Sequence, residues 1–357
     1  MADQEGILEL IEAWDGVGVV VRHDEPTGSW IFIALHDDTL GPPVGGCRMK
    51  QYERPEHGLR DAMRLAKGMT YKWAALELAC GGGKAVLALP GPLSAGDRRG
   101  LLRRFGELLN TLDGAYGTGE DLGTTPDDMR VVASVSRHVV GVHGVHDAPS
   151  DPGPFTAKGV FAAIRAALRY RHGSDELRDR TVLVQGVGHV GGPLARLISK
   201  AGGSVLLSDL DQNKAFAISV EVGGNVVTQD TVYQTLCDVY APCAVGATLN
   251  PATIPSLRCD MVVGSANNQL ESDTDADALA ERGILYAPDY VVNAGGALAF
   301  TLIHQGERNV AELDRRVRGI GDALHEILTE ADAAGESPLK AAERRVQRVL
   351  RNAKKTR

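Results

Sequence analysis

Between residues 57 and 78, apolar side chains recur every three or four positions, at Leu59, Met63, Ala66, Met69 or Thr70, and Trp73. This is the stripe of an amphipathic helix. The pattern then changes: Gly81, Gly82 and Gly83 lead into Lys84 and the apolar run 85–89, which predicts a glycine turn feeding a buried strand. Glycine costs backbone entropy, so three in succession mark a place where something must approach the chain closely. Upstream, residues 7–15 have helical spacing, whereas 16–22 and 30–36 are rich in branched and aromatic residues and predict strands. A turn-dense connection over 39–49 leads into another extended piece. Downstream, a helix over 97–112 has Ser94 or Asp97 as its cap, residues 114–126 give a short strand running into a loop, and Pro126 opens the next helix.

The pattern breaks again over 141–154, where prolines and glycines predict a linker. Beyond it, helical and extended stretches alternate. A small-residue helix over 156–169 precedes an apolar strand that ends at Gly186, and a further helix follows the glycines. Strands over 204–208, 238–244, 261–268 and 284–289 come next, and a helix starts at Asn293. Such alternation predicts an α/β chain with a doubly wound sheet. From about 315 onward the chain is helical and basic. The expected organisation is an N-terminal α/β substrate domain over 1–148, a Rossmann domain over 149–315, and a helical segment over 316–357 packing back on the first. The active site is expected in the cleft between the two domains.

A length of 357 residues suits two cores, and a net charge of -8 argues against nucleic acid as a partner. The N-terminus lacks the features of a signal peptide, and no apolar run reaches membrane-spanning length, which points to the cytoplasm and to no membrane partner. Five cysteines without a CxxC pair read as reduced thiols. His143, His146 and Asp147 have no further ligand at a recognisable spacing, so no metal is expected.

Candidate chemistry lies in two places. Gly186, Gly188 and Gly191 form GxGxxG between a strand and a helix, and the next strand ends on Asp209. Every part of a dinucleotide-binding fingerprint is present. Gly186 permits the tight turn, Gly188 lets the backbone approach the pyrophosphate, and Gly191 allows close helix packing, while the helix N-terminus attracts the anion. Asp209 would bind ribose hydroxyls and repel a phosphate, favouring NAD over NADP. The second place holds two lysines, Lys72 and Lys84, with Asp121 further on. One lysine can hold a substrate carboxylate. The other, enclosed beside a like charge, can exchange protons near neutrality, and Asp121 can relay protons as an amine becomes an iminium and then a carbinolamine. A P-loop reading of Gly83-Lys84 fails, because Leu78 stands where its first glycine should be and Ala85 where a magnesium ligand should be. Glu120 and Asp121 are adjacent in an extended segment and point to opposite sides, which excludes a glycosidase pair.

Over nearly its whole length the chain resembles the Glu/Leu/Phe/Val amino-acid dehydrogenase family. The matching segments are 40–49, 68–72, 81–84, 118–121, the Gly186 fingerprint, 266–268 and 288–296. The resemblance implies that Lys72 binds the substrate carboxylate, helped by the Gly45 backbone and an amide of the Asn267-Asn268 pair. It also implies that Lys84 is the catalytic lysine and Asp121 its proton-transfer partner. Thr156 and Asn293 would meet the nicotinamide amide, with Asn267 nearby. Val187, His189, Val190 and Gly192 would complete the phosphate loop, and Cys243 and Ala244 would lie near the adenosine ribose. The implied reaction is reversible oxidative deamination of an L-amino acid to a 2-oxo acid and ammonium, by a homo-oligomer assembled through its first domain. Glutamate-specific members carry a lysine and a serine where this chain has Val44 and Phe300, so an acidic side chain would be buried without a partner. Gly119 and Ala297 look like phenylalanine-specific relatives, while Phe300 refills part of the space. The expected substrate is therefore apolar, of leucine, valine or phenylalanine type. A cofactor-bound regulatory or binding protein without turnover is the rival reading, and it gives no reason to retain Lys72, Lys84 and Asp121 together.

Overall fold

The structure is a computed structural model that describes residues 6–142 and 151–356. His143, His146, Asp147 and the boundary expected after 148 lie outside the described residues. The chain divides into two compact units. One comprises Met1–Gly144, Ile303–Gly306 and Val346–Arg357, and the other Val145–Leu302 with Glu307–Arg345.

In the first unit the order is α1 (Ile7–Glu12), β1 (Gly18–Asp24), β2 (Ser29–Asp37), β3 (Pro43–Gln51), α2 (Pro55–Ala75), β4 (Gly81–Leu89), α3 (Ala95–Thr111), β5 (Gly117–Glu120) and α4 (Pro126–Ala133). The strands form one sheet, ordered β1-β2-β4-β3-β5. β1 and β2 are antiparallel to their neighbours, and β3, β4 and β5 run parallel. The predicted stripe of α2, with Leu59, Met63 and Ala66, packs on Phe32, Ala34, Val86 and Ala88. On the opposite face Ile31, Ile33, Ala85 and Leu87 meet Leu101 and Phe105 of α3 and Met129 and Val132 of α4. With both faces covered, all of β4 is buried, which explains the apolar run 85–89 that follows Lys84.

The glycine run does not turn. Gly81, Gly82 and Gly83 are the first residues of β4, so the strand expected to begin at 85 begins at 81 and places Lys84 inside a central strand. A Cβ on Gly82 would collide with the Thr70 side chain and with the backbone of α2, and one on Gly83 would lie 2.7 Å from the Tyr116 ring. The close approach foreseen from these glycines is made by the protein's own helix and a buried tyrosine.

In the second unit, α5 (Gly153–His172) precedes β6 (Thr181–Gln185), α6 (Gly191–Lys200), β7 (Ser204–Ser208), α7 (Gln212–Val222), β8 (Asn225–Val226), β9 (Cys237–Pro242), β10 (Cys259–Val262), α8 (Thr274–Glu281), β11 (Leu285–Tyr286) and α9 (Asp289–Val292). The chain ends in α10 (Gly295–His304), α11 (Val310–Ala334) and α12 (Pro338–Thr356). The sheet is ordered β11-β10-β9-β6-β7-β8 and is parallel throughout. Strand order reverses at β6, as in a doubly wound dinucleotide fold. The terminal segment departs from expectation: α11 packs on α5 within the second unit, where a Cβ on Gly159 would lie 2.8 Å from Ile320, and only Val346–Arg357 groups with the first unit.

Candidate active site

On the α2 face of the first sheet, β4 presents Lys84, which is 5% exposed. Its Nζ lies 3.1 Å from Oδ2 of Asp121, just past the end of β5. Residues 84 and 121 are brought together because β3 pairs in parallel with both strands, with Gly46 opposite Gly119 and Cys47 opposite Glu120. The Asp121 backbone is fixed as well. Its N–H donates to Thr124 Oγ1 at 2.9 Å, and the Thr124 hydroxyl donates to the Cys47 carbonyl.

A residue the sequence reading did not assign completes the cluster. Arg48 donates from Nε to Asp121 Oδ2 at 3.0 Å, and from a terminal nitrogen to Asp61 Oδ2, also at 3.0 Å. Asp61, on α2, is held in turn by the Tyr52 hydroxyl at 2.7 Å and by Arg64 at 2.8 Å. Burial alone would raise the Asp121 carboxyl, but Lys84 and Arg48 outweigh it and hold the group below the usual carboxylate range. Burial, with Asp121 adding to it, pushes the neighbouring Cys47 thiol well up, so Cys47 is no nucleophile. The signal in the sequence was an arginine inside the motif 40–49, with its partner 73 residues away.

Lys72 stands in the last turn of α2, partly buried. Trp73 beside it donates its indole N–H to the Val44 carbonyl at 3.1 Å, which ties that turn to β3. A Cβ on Gly45 would run into the Gly83 carbonyl and approach Met69 at 3.2 Å, and the Tyr116 hydroxyl donates to the Gly45 carbonyl at 2.7 Å. Glycine at 45 is therefore required by packing between strands and helix. Val44 lies beside Gly117, and a Cβ on Gly119 would meet Val140 at ordinary contact distances of 3.5 and 3.8 Å. Val44, Gly119 and Val140 make a small apolar wall.

The second unit carries its own candidate residues. Gly186 has φ +91° and donates its N–H to Ser208 at 2.6 Å, so the tight turn is real. A Cβ on Gly191 would collide with the Gly186 carbonyl, whereas one on Gly188 meets nothing within 4 Å. That open face, at a helix N-terminus, fits a pyrophosphate. Asp209 Oδ2 accepts from Val187 N–H at 2.8 Å and Oδ1 from Asp211 N–H at 2.9 Å, so the carboxylate is fixed against the loop. Ala244 packs over Gly186, 2.7 Å from where its Cβ would be, and Cys243 N–H bonds to Gln185. His189 is exposed and pairs with Asp151 at 2.7 Å. Val190 caps α6, and Gly192 N–H bonds to the Gly188 carbonyl.

Two amide positions also converge in this unit. Asn293, 6% exposed, donates to Asn267 Oδ1 at 2.8 Å and points toward the Ser265 carbonyl. Thr156 accepts from Gly296 N–H at 3.1 Å and donates to the Pro152 carbonyl. Asn268 is exposed with φ +51°, a conformation asparagine tolerates. On α10, Ala297 and Phe300 are partly exposed, and the Phe300 ring stands edge-on to Phe155 at 6.4 Å. Among the described residues one grouping has metal-ligand types, His172, Asp238 and Asp260, but Arg180 and Thr181 N–H already occupy Asp238.

A doubly wound sheet with an open glycine loop, in a chain that also buries a lysine against a carboxylate, has the architecture of a dinucleotide-dependent oxidoreductase. Sequence comparison specifies the class further. Residues 21–138 match the family profile described as "Glu/Leu/Phe/Val dehydrogenase, dimerisation domain", and residues 206–356 the one described as "Glutamate/Leucine/Phenylalanine/Valine dehydrogenase". The chain belongs to this family of amino-acid dehydrogenases. It is 37% identical to a leucine dehydrogenase of Bacillus cereus over 98% of this chain and 95% of that one. It is 38% identical to a phenylalanine dehydrogenase of Lysinibacillus sphaericus over 93% and 88%. The crystal structure of L-tryptophan dehydrogenase from Nostoc punctiforme superposes with a TM-score of 0.84 at 35% identity, covering 98% of this chain and 100% of that one.

Proposed function

We propose that the protein catalyses the NAD-dependent, reversible oxidative deamination of an apolar L-amino acid to its 2-oxo acid and ammonium. The observation that carries this reading is the buried ion pair of Lys84 and Asp121, 3.1 Å apart. Lys72, with the Gly45 backbone and an amide of the Asn267-Asn268 pair, holds the substrate carboxylate. Asp121 Oδ2 is engaged by two cations, while Oδ1 accepts no hydrogen bond from a described residue and is the oxygen free to take a proton from the substrate ammonium. Bound NAD supplies the hydride acceptor. Lys84 deprotonates the water that attacks the iminium carbon, then returns the proton to the leaving ammonia. Thr156 and Asn293 orient the nicotinamide amide, and the fixed Asp209 carboxylate accepts from the ribose hydroxyls and repels the phosphate of NADP.

The apolar wall of Val44, Gly119 and Val140 in the first unit, and the absence of a charged side chain at Ala297 and Phe300 in the second, each support a substrate without a distal charge. The relatives named for leucine, phenylalanine and tryptophan support the same class. The dimerisation-domain match over residues 21–138 supports a homo-oligomer. The test is an NADH absorbance screen of apolar L-amino acids beside glutamate, with NAD and then NADP. Turnover with at least one apolar amino acid and NAD, and little with glutamate or NADP, is expected. Preference for glutamate would contradict the substrate reading, and equal use of NADP would contradict the role of Asp209.

A further inference from the structure

Asp121 Oδ2 is a shared acceptor. Lys84 Nζ reaches it from β4 at 3.1 Å and Arg48 Nε from β3 at 3.0 Å, so two cations flank a single oxygen. Arg48 is itself anchored, since one of its terminal nitrogens donates to Asp61, whose carboxylate is fixed by Tyr52 and Arg64. The Arg48 and Asp61 side chains are each only 13% exposed. An arginine bridging two carboxylates at this depth is held at both ends, and its Nε–H fixes the position of Asp121 Oδ2.

We propose that Arg48 is a positioning residue for the deamination: it clamps Asp121 by Oδ2, turns Oδ1 toward the substrate nitrogen, and keeps Asp121 ionised when Lys84 gives up its proton. This role rests on the function proposed above. Its logic is electrostatic. In the working cycle Lys84 must be neutral while it activates water, and at that moment Asp121 would lose its only counter-charge if Lys84 were its sole partner. Arg48 remains charged throughout and supplies a permanent one.

The charged and titratable groups facing Arg48 and its partner carboxylate are Lys84 on β4, Asp61 and Arg64 on α2, Tyr52 after β3, and Cys47 beside it. Replacing Arg48 by a neutral residue leaves Lys84 as the sole cation on Asp121, which favours the protonated, inactive form of the pair. The sign is therefore fixed. The acidic limb of the pH dependence of kcat/KM, a property of the Lys84–Asp121 pair as a whole, moves to higher pH in Arg48→Gln. Arg48→Lys keeps the charge without the fork and restores the limb while remaining slower than wild type. Asp61→Asn removes an anion behind Arg48 and moves the limb, if less, in the opposite direction.

The experiment is a set of pH–rate profiles for wild type, Arg48→Gln, Arg48→Lys and Asp61→Asn on the best apolar amino acid, with NADH binding measured by fluorescence as the check on folding. We expect kcat to fall about 100-fold in Arg48→Gln, the limb to rise by about 1 pH unit, and NADH affinity to stay unchanged. An unmoved limb in a folded Arg48→Gln protein, or Arg48→Lys no closer to wild type than Arg48→Gln, overturns the proposal and leaves the reaction standing. If Arg48→Gln does not fold, the Arg48→Lys and Asp61→Asn profiles decide it by the same rule: a limb at the wild-type position with Lys and a downward shift with Asn support it, and any other pattern overturns it. A wild-type protein that forms no NADH from any amino acid overturns the reaction and this role together.

Discussion

Two glycines in this chain do opposite work, and the difference can be measured. At Gly82 a Cβ would meet the Thr70 hydroxyl and the α2 backbone, atoms that cannot move aside without lifting the helix off the sheet. Gly82→Ala is expected to destabilise the protein by about 3 kcal/mol, the upper part of the range for overpacked cores, as read from urea unfolding. At Gly188 a Cβ meets nothing, and φ is not in the left-handed region, so Gly188→Ala should leave urea stability within about 0.5 kcal/mol. The same methyl group would stand where the pyrophosphate must approach. NAD affinity should therefore fall by about 10-fold or more, roughly 1.4 kcal/mol. Unchanged NAD binding in Gly188→Ala would contradict the placement of the cofactor on this loop. At Gly119 an added methyl is tolerated by Val140 at ordinary contact distance, so its effect should be on the substrate. Gly119→Ala is expected to lower the kcat/KM ratio of phenylalanine over valine by about 10-fold, the worth of a methylene or so in such a pocket, with little change in melting temperature.

Among the elements, α2 organises the first unit. It carries Asp61, which anchors Arg48, then Thr70 against Gly82, Lys72 in its last turn and Trp73 on the Val44 carbonyl. Its stripe was legible because an amphipathic helix repeats every 3.6 residues and is covered on one side only. The glycine run was misread because β4 is buried on both faces and begins with residues that have no side chain to show a period. Arg48 was missed for a different reason. Bridging Asp121 and Asp61 requires strand register and a helix face at once, and neither follows from local spacing. The strand, glycine turn and helix around Gly186 were readable, since the order of the three elements is local in sequence, although of the fingerprint glycines only Gly191 meets an atom of that same unit, the Gly186 carbonyl.

The packing of α2 also carries a pH dependence. His36 is 8% exposed, with Nδ1 2.9 Å from Thr70 Oγ1 on α2 and Nε2 3.3 Å from Asp15, which Lys67 of α2 also pairs. Burial lowers its pKa from the ordinary value, an effect that the Asp15 carboxylate only partly offsets. A group whose folded pKa is depressed gives stability that is complete above its unfolded value, about 6.5, and is lost as pH falls through the folded value. Urea midpoints should therefore decline on acidification below about pH 6.5. His36→Gln should flatten that part of the curve, and a His36→Gln curve parallel to wild type would contradict the assignment.

At the scale of the whole molecule, the two kinds of chemistry belong to two separately built units. Lys84 and Arg48 on the first sheet and Asp121 just past β5 are the groups proposed to handle protons, and the glycine loop proposed to hold the dinucleotide sits on the second sheet. The alternation of strands and helices made this division legible in outline. The return of Val346–Arg357 to the first unit was expected as part of a segment over 316–357, but the grouping of α11 with the second was not legible, because an amphipathic helix fits either partner by pattern alone. The division has a direct consequence for mutants: damage to the lysine–carboxylate pair should stop the reaction without touching cofactor affinity. The decisive measurement is the rate of NADH formation by Lys84→Ala with the best apolar amino acid at saturation, taken beside its NAD dissociation constant. The account predicts a loss of about 1,000-fold or more in rate, with the dissociation constant within about twofold of wild type. A variant that binds NAD normally and retains a tenth or more of the wild-type rate would contradict it.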